Sequence, residues 1–245
     1  MGYNTDGEGF IESLLTPEPG ASECFIPSLK NLNVLLLGAG GSARAVAFHL
    51  SDHLDNGKLI IANRTLEHAQ SLCDEIRAGG RQAVSIDEGG ITQWASQVAL
   101  IVNSTTKGQG GIRRLPNGRV TLLEPYSALA PAHPPSVHAN DGEADARWQV
   151  AASTDIALNN RSAEAIVPLI PQATGFYDLI YHPEETVFLR QGRTTGHRTM
   201  NGASMIVCQA VIAFCKRICH DQLVALGKDN NETFHQVRDI MYRAW

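Results

Sequence analysis

"NVLLLGAGGSARAVAFHL", Asn33 to Leu50, decides how this chain folds. Four apolar residues run unbroken from Val34 to Leu37 and stop at Gly38. A run that short, closed by glycine, predicts a strand buried on both faces. "SARAVAFHLSDHL", Ser42 to Leu54, carries helical spacing. Between the two stands "GAGGSARA", in which Gly38, Gly40 and Ala43 fit G-x-G-x-x-[GA]. The first glycine permits a tight turn, the second lets backbone approach a pyrophosphate, and the small third residue lets helix and strand pack closely. The helix start then turns N–H groups and a positive dipole end toward phosphate. Strand before and helix after make Gly38, Ala39, Gly40, Gly41 and Ser42 a predicted dinucleotide loop.

Outward from that unit the pattern repeats. "KLIIA" (Lys58–Ala62), "AVSI" (Ala83–Ile86) and "VALIV" (Val98–Val102) read as further strands. "LEHAQSLCDEIRA" reads as a helix, with a short helical piece near Ile91–Ser96. Strands alternating with helices predict a doubly wound parallel α/β sheet, Rossmann-like, with helical additions at both ends. Thr5-x-x-Glu8 before Phe10, Ile11, Leu14 and Leu15 predicts a capping box opening a first helix. "FYDLIY", Phe176–Tyr181, predicts a strand. Helices are expected near Glu184–Gln191, Asn201–His220 and Glu232–Trp245. Residues 112–165 contain "LAPAHPPSVHANDGEADARW", rich in turn residues and without a period, and read as an insertion or long loop holding one strand at Val120–Leu123. Removing about Leu129–Arg147 is therefore expected to leave ligand affinity within a few-fold. The boundaries expected are a hinge helix and connector over 1–31, a nucleotide-binding domain over 32–220 and a last helix over 221–245.

The 245 residues suit one large domain with appendages, and a net charge of −5 without any basic block argues against nucleic acid or an anionic membrane as partner. No apolar run is long enough to span a bilayer. Residues 1–20 lack the basic start and clean apolar stretch of a signal peptide. Five scattered cysteines do not make a disulfide framework, so a reducing, cytoplasmic compartment is expected. Cys215, Cys219 and His220 could share a helix face and bind a metal. Thiols packed in a core are the simpler reading, and no metal is expected.

The end of the second strand selects the nucleotide. NAD sites place an acid there for the ribose 2′-hydroxyl. Here the residues are Asn63, Arg64 and Thr65. A guanidinium suits a 2′-phosphate, which predicts NADP; the bland alternative is a surface arginine.

"NTDGEGF", "GAGGSARA", "ANRT", "VNSTTKG", "YDLIYHPEETVFL" and "MNGASMIVCQA" occur here in the order found in shikimate dehydrogenases, and the chain resembles the NADP-binding half of that family. The resemblance implies an NADP-dependent reduction of 3-dehydroshikimate to shikimate in aromatic amino-acid biosynthesis. It implies that Asp6 binds substrate and partners the catalytic lysine. Tyr181 and Gln209 match further substrate contacts, and Gly38–Ser42 match the pyrophosphate loop. Asn63, Arg64 and Thr65 match the 2′-phosphate site, with His68 where a further basic residue often stands. Asn103, Ser104 and Thr105 match a loop beside the cofactor, Leu179 a cofactor contact, and Gly202 and Met205 the nicotinamide wall. On residues alone, Met205 is better read as a core methionine, and Tyr181 equally as a strand-end tyrosine in water.

The sequence also departs from the family. The N-terminal substrate domain, with its paired serines and catalytic lysine, matches nothing in this chain. The chain is expected to be part of a longer enzyme; a stand-alone NADP(H)-binding sensor or interaction module is the alternative, and a quinate-using variant a second. The connection from Asn103 to Tyr181 is longer than the family's. "TTKGQGG" departs from the usual wording, and Lys107 is expected to be solvated.

Overall fold

The computed structural model describes residues 4–109, 112–114, 120–122, 126–135 and 142–245. Of the stretch read as an insertion, residues 115–119, 123–125 and 136–141 lie outside the described residues, Leu123 among them. Six strands form one parallel sheet: β1 (Val34–Leu37), β2 (Leu59–Ala62), β3 (Ala83–Ile86), β4 (Leu100–Asn103), β7 (Gly175–Asp178) and β8 (Thr199–Met200). The spatial order is β3-β2-β1-β4-β7-β8. A small antiparallel pair, β5 (Ile112–Arg114) and β6 (Val120–Leu122), stands apart. β1, β2 and β4 are buried along their whole length. That is why their sequences are continuous rather than alternating runs: both faces are covered.

The helices are α1 (Asp6–Leu15), α2 (Gly41–His53), α3 (Leu66–Ala78), α4 (Ile91–Trp94), α5 (Gly142–Ile166), α6 (Val187–Thr194), α7 (Ala203–Ala213), α8 (His220–Ala225) and α9 (Asn231–Ala244). Val34 and Leu36 of β1 point into a core with Phe10 of α1, Val46 of α2, Leu72 of α3 and Met205 of α7. Leu35 and Leu37 point to the other face, against Ile91, Leu129, Ile166 and Phe188. This alternation within one strand makes the architecture three layers. The chain winds outward from β1 through β2 to β3, then returns to place β4 on the other side of β1. The reversal leaves a crevice at the carboxyl ends of β1 and β4, where doubly wound sheets hold ligands.

Three expectations need correction. The stretch 112–165 is not an aperiodic loop in its described parts. Ala128, Leu129 and Ala130 are at most 2% exposed and complete the second core. α5 is a long helix whose buried residues Trp148, Ala152, Ile156, Asn159, Ala163 and Ile166 recur at three- and four-residue spacing. Asn159 fixes the preceding segment: its Nδ2 donates to the carbonyls of Ser127, Ala130 and Pro131, and its Oδ1 accepts from the Ser127 N–H. Deleting Leu129–Arg147 would open the core rather than trim a loop.

The expected helix Asn201–His220 is interrupted. α7 ends at Ala213, a π-turn covers Phe214–Ile218, and α8 restarts at His220. The capping box of α1 is also absent. Thr5 is the N-cap but makes no side-chain cap bond. Asn4 Oδ1 instead accepts from the Asp6 N–H at 2.8 Å, while Glu8 pairs with Lys216 and Arg217. Gly7 and Gly9, costly in a helix by about 1 kcal/mol each relative to alanine, are explained by packing inside this chain. A Cβ on Gly7 would run into the His49 ring of α2, and one on Gly9 would lie 2.8 Å from the Gln209 backbone nitrogen of α7.

Candidate active site

The loop after β1 turns through Gly38, whose φ of +108° is open to glycine and strained for other residues. A Cβ there would also lie 2.8 Å from Ser104 Oγ. The turn is tied down on two sides: the Gly38 N–H donates to Ala62 O at 2.7 Å and Ser104 Oγ donates to Leu37 O at 2.7 Å. Gly40 is the N-cap of α2, with no side-chain cap bond and no acid in the first turn. Gly40, Gly41 and Ser42 are exposed, and nothing lies within 4 Å of where a Cβ on Gly40 or Gly41 would stand. Ala43 is fully buried against the sheet. The result is an open, uncapped, positive helix end beside the crevice, chemically suited to an anion.

The end of β2 supplies the neighbouring edge. The Asn63 N–H donates to Ile86 O, and Asn63 Nδ2 donates to Thr65 O at 2.7 Å. That tight turn presents Arg64, Thr65 and His68 to solvent. Thr65 is the N-cap of α3 without a side-chain cap bond. Arg64 is in no salt bridge among the described residues.

The loop after β4 is organised by a buried pair that the sequence reading only half found. Asn103 is fully buried; its Nδ2 donates to Asp178 Oδ1 at 2.9 Å and to Lys107 O at 3.0 Å, and its Oδ1 accepts from the Thr105 N–H and Oγ1. Its side chain is thus spent inside the fold, where it shapes the loop rather than reaching a ligand. Asp178 was not anticipated. It also accepts from the Ile180 N–H at 3.0 Å and Thr186 Oγ1 at 2.6 Å. Burial pushes its carboxyl up to about 7, against the pull of those donors. A signal existed: an acid inside the apolar run "FYDLIY". Lys107 requires a correction. It is not solvated: its side chain is 11% exposed, and Nζ donates to Glu88 Oε1 and Ala130 O, each at 2.7 Å.

The remaining residues lie after β7, at the start of and within α7, and on α1. The Leu179 N–H donates to Asn103 O at 2.8 Å, and the Gly202 N–H donates to Ile180 O at 3.1 Å. A Cβ on Gly202 would collide with the Leu179 carbonyl, so glycine is required for this backbone approach. Met205 is 4% exposed and belongs to the first core, with Phe10 and Tyr177; its side chain is core rather than an open wall. Tyr181 is exposed, its ring edge-to-face with Trp245 at 5.7 Å between centroids. Both line a cavity of about 590 Å³ with Glu18, Glu184, Met200 and Asn201. Asp6 and Gln209 are half-buried on the adjoining helices α1 and α7. Cys215 is buried against the α9 side chains, and among the described residues no three His, Cys, Asp or Glu lie together as a metal site would need. Among the described residues no helix is long and apolar enough to cross a membrane.

A six-stranded parallel sheet with an open glycine loop at its switch point defines a Rossmann-like dinucleotide-binding fold. Known proteins narrow the class. Residues 21–114 match the family model described as Shikimate / quinate 5-dehydrogenase. The chain is 29% identical over 214 residues to a shikimate dehydrogenase (NADP(+)) of Methanococcus maripaludis, covering 87% of this chain and 56% of that protein. It is 31% identical over 216 residues to the enzyme so named in Methanocaldococcus jannaschii, again 87% and 56%. The chain is similar to shikimate dehydrogenases over most of its own length, and it spans a little over half the length of these curated relatives.

Among solved structures, the Thermus thermophilus shikimate 5-dehydrogenase in complex with NADP(H) and shikimate superimposes with a TM-score of 0.51 at 26% identity, covering 88% of this chain and 56% of that one. The quinate dehydrogenase of Corynebacterium glutamicum in complex with NAD gives 0.59 at 24% identity, covering 100% and 63%, a likeness of fold.

Proposed function

We propose that this chain is the cofactor-binding part of an NADP-dependent shikimate dehydrogenase, acting in a reducing, cytoplasmic compartment. The reaction would be 3-dehydroshikimate plus NADPH and a proton to shikimate plus NADP. The observation that carries the cofactor reading is the pairing of an uncapped α2 end with an exposed arginine, and no acid, directly after β2. The N–H groups of Gly40, Gly41 and Ser42 would hold the pyrophosphate, with Gly38 and Ala39 forming the turn beneath. Arg64, with Asn63, Thr65 and His68 around it, would hold the 2′-phosphate. Ser104 and Thr105 would border the cofactor on a loop set by Asn103 and Asp178. Leu179 and Gly202 would border the nicotinamide, Met205 supporting them from the core. The nicotinamide, when bound, supplies the hydride.

Asp6 and Gln209 would hold hydroxyls of a polar ring, and Tyr181 would contact the same substrate from the sheet side. The lysine that the resemblance pairs with Asp6 matches no position of this sequence, so the proton step belongs to residues outside the matched part. Relatives named for shikimate, and solved complexes that contain it, support the substrate class.

The test is a pair of titrations. A charge-assisted hydrogen bond contributes about 1.5–3 kcal/mol, or roughly 10–100-fold in affinity. Arg64→Ala should weaken NADP(H) by that much and leave NAD(H) nearly unchanged. Equal weakening of both would make Arg64 a structural residue and remove the case for NADP.

A further inference from the structure

Glu88 poses a problem for the 2′-phosphate site proposed above. It stands two residues beyond Ile86, whose carbonyl receives the Asn63 N–H, so the ends of β2 and β3 adjoin there. A carboxylate at that edge is badly placed. It would compete for Arg64 or repel a dianionic ligand group, and its side chain is only 10% exposed, which weakens solvent screening. Lys107 answers it at 2.7 Å from the opposite loop, after β4. The charge of Arg64 reaches Lys107. The Lys107 ammonium is held below its usual range first by burial, with Arg64 adding to the effect and Glu88 and Asp155 opposing it. Lys107 also donates to Ala130 O, which offers a purely structural explanation for the same contact.

We propose that Lys107 is a specificity-determining residue for the 2′-phosphorylated cofactor, acting through Glu88: by neutralising that carboxylate it leaves Arg64 free and the adjoining edge open to an anion. The inference rests on the NADP reading above. It adds a second requirement to that reading, since a free arginine needs the neighbouring acid to be occupied. The residue acts by positioning and by charge, and no contact between Lys107 and the ligand is required.

The experiment measures NADPH and NADH binding to the 245-residue chain by cofactor fluorescence at pH 8 and low ionic strength. Lys107→Met should weaken NADPH by about tenfold, the scale of one charged contact, and leave NADH within about twofold. The double variant Lys107→Met/Glu88→Gln should return NADPH to within a few-fold of the parent. A structural tie to Ala130 would behave differently. It would weaken both cofactors alike, and removing Glu88 as well would not restore NADPH; either result overturns the proposal. Should Lys107→Met fail to fold, Glu88→Gln alone decides, with NADPH binding unchanged or tighter expected and weaker binding refuting the idea. Failure of the NADP reading itself looks different again: the parent chain would then show no preference for NADPH, or Arg64→Ala would change nothing.

Discussion

Asp178 sits at the C-terminal end of the fully buried β7, away from water, and depends on three donors: Asn103 Nδ2, the Ile180 N–H and Thr186 Oγ1. Its carboxyl is pushed up to about 7 by burial, whereas an unfolded aspartate titrates near ~3.9. The folded protein therefore holds the proton more tightly. The contribution to stability is fully present below about pH 4 and is lost as pH rises through about 7. Asp178→Asn keeps the shape of the neutral acid and removes its titration. Urea midpoints at pH 5 and pH 8 should separate less in the variant than in the parent; an equal separation would show that Asp178 stays ionised throughout. The charged residues of the loops show where sequence reading stops. Arg64 and the Gly40–Ser42 turn were legible because local chain geometry alone exposes them. Lys107 was misread because its partners Glu88 and Ala130 lie on other segments, and a lysine without a visible partner reads as solvated.

At the level of elements, the parallel strands were legible because burial on both faces demands an unbroken apolar run, and β1, β2 and β4 each carry one. α5 was not, for a physical reason. Ala152, Asn159 and Ala163 interrupt Trp148, Ile156 and Ile166 on its inward face, and Val150 and Leu158 are exposed on the other, so the helical period carries little hydrophobic contrast. The element is nonetheless structural. Asn159 satisfies three carbonyls and one N–H of the 127–131 segment, which holds Leu129 in the second core. Asn159→Ala should leave several of these buried groups unpaired, at roughly 1–3 kcal/mol for each group that water cannot reach. Thermal melting should show a clear loss of stability. A variant that melts with the parent would mean that 127–131 holds its place without this side chain. β8, a two-residue strand at the sheet edge, offered no run to read, and the π-turn at Phe214–Ile218 left no mark that composition could reveal.

The whole molecule divides its chemistry unevenly. Loops on one sheet carry the phosphate-binding features of the proposed cofactor site: the turn at Gly38, the open end of α2 and the arginine after β2. The proposed substrate contacts are sparse by comparison, with Asp6 and Gln209 on adjoining helices and an exposed Tyr181 held by Trp245. The relatives compared are nearly twice as long as the stretch they share with this chain. The 245-residue chain should therefore bind NADP(H) without oxidising shikimate. Absence of a general acid–base typically costs about 10²–10⁴ in rate. Absence of a grip on the substrate costs more, since well-held reactants gain roughly 7–11 kcal/mol over free encounter. Together these losses put turnover below detection. Joined to a substrate-binding half, the chain should gain activity, and Asp6→Ala in that enzyme should depress turnover without weakening NADP(H). The deciding assay is NADPH formation by the 245-residue chain with excess shikimate. Robust turnover there would place the proton-handling group within this chain and overturn the assignment of Asp6 as the partner of a lysine supplied from elsewhere.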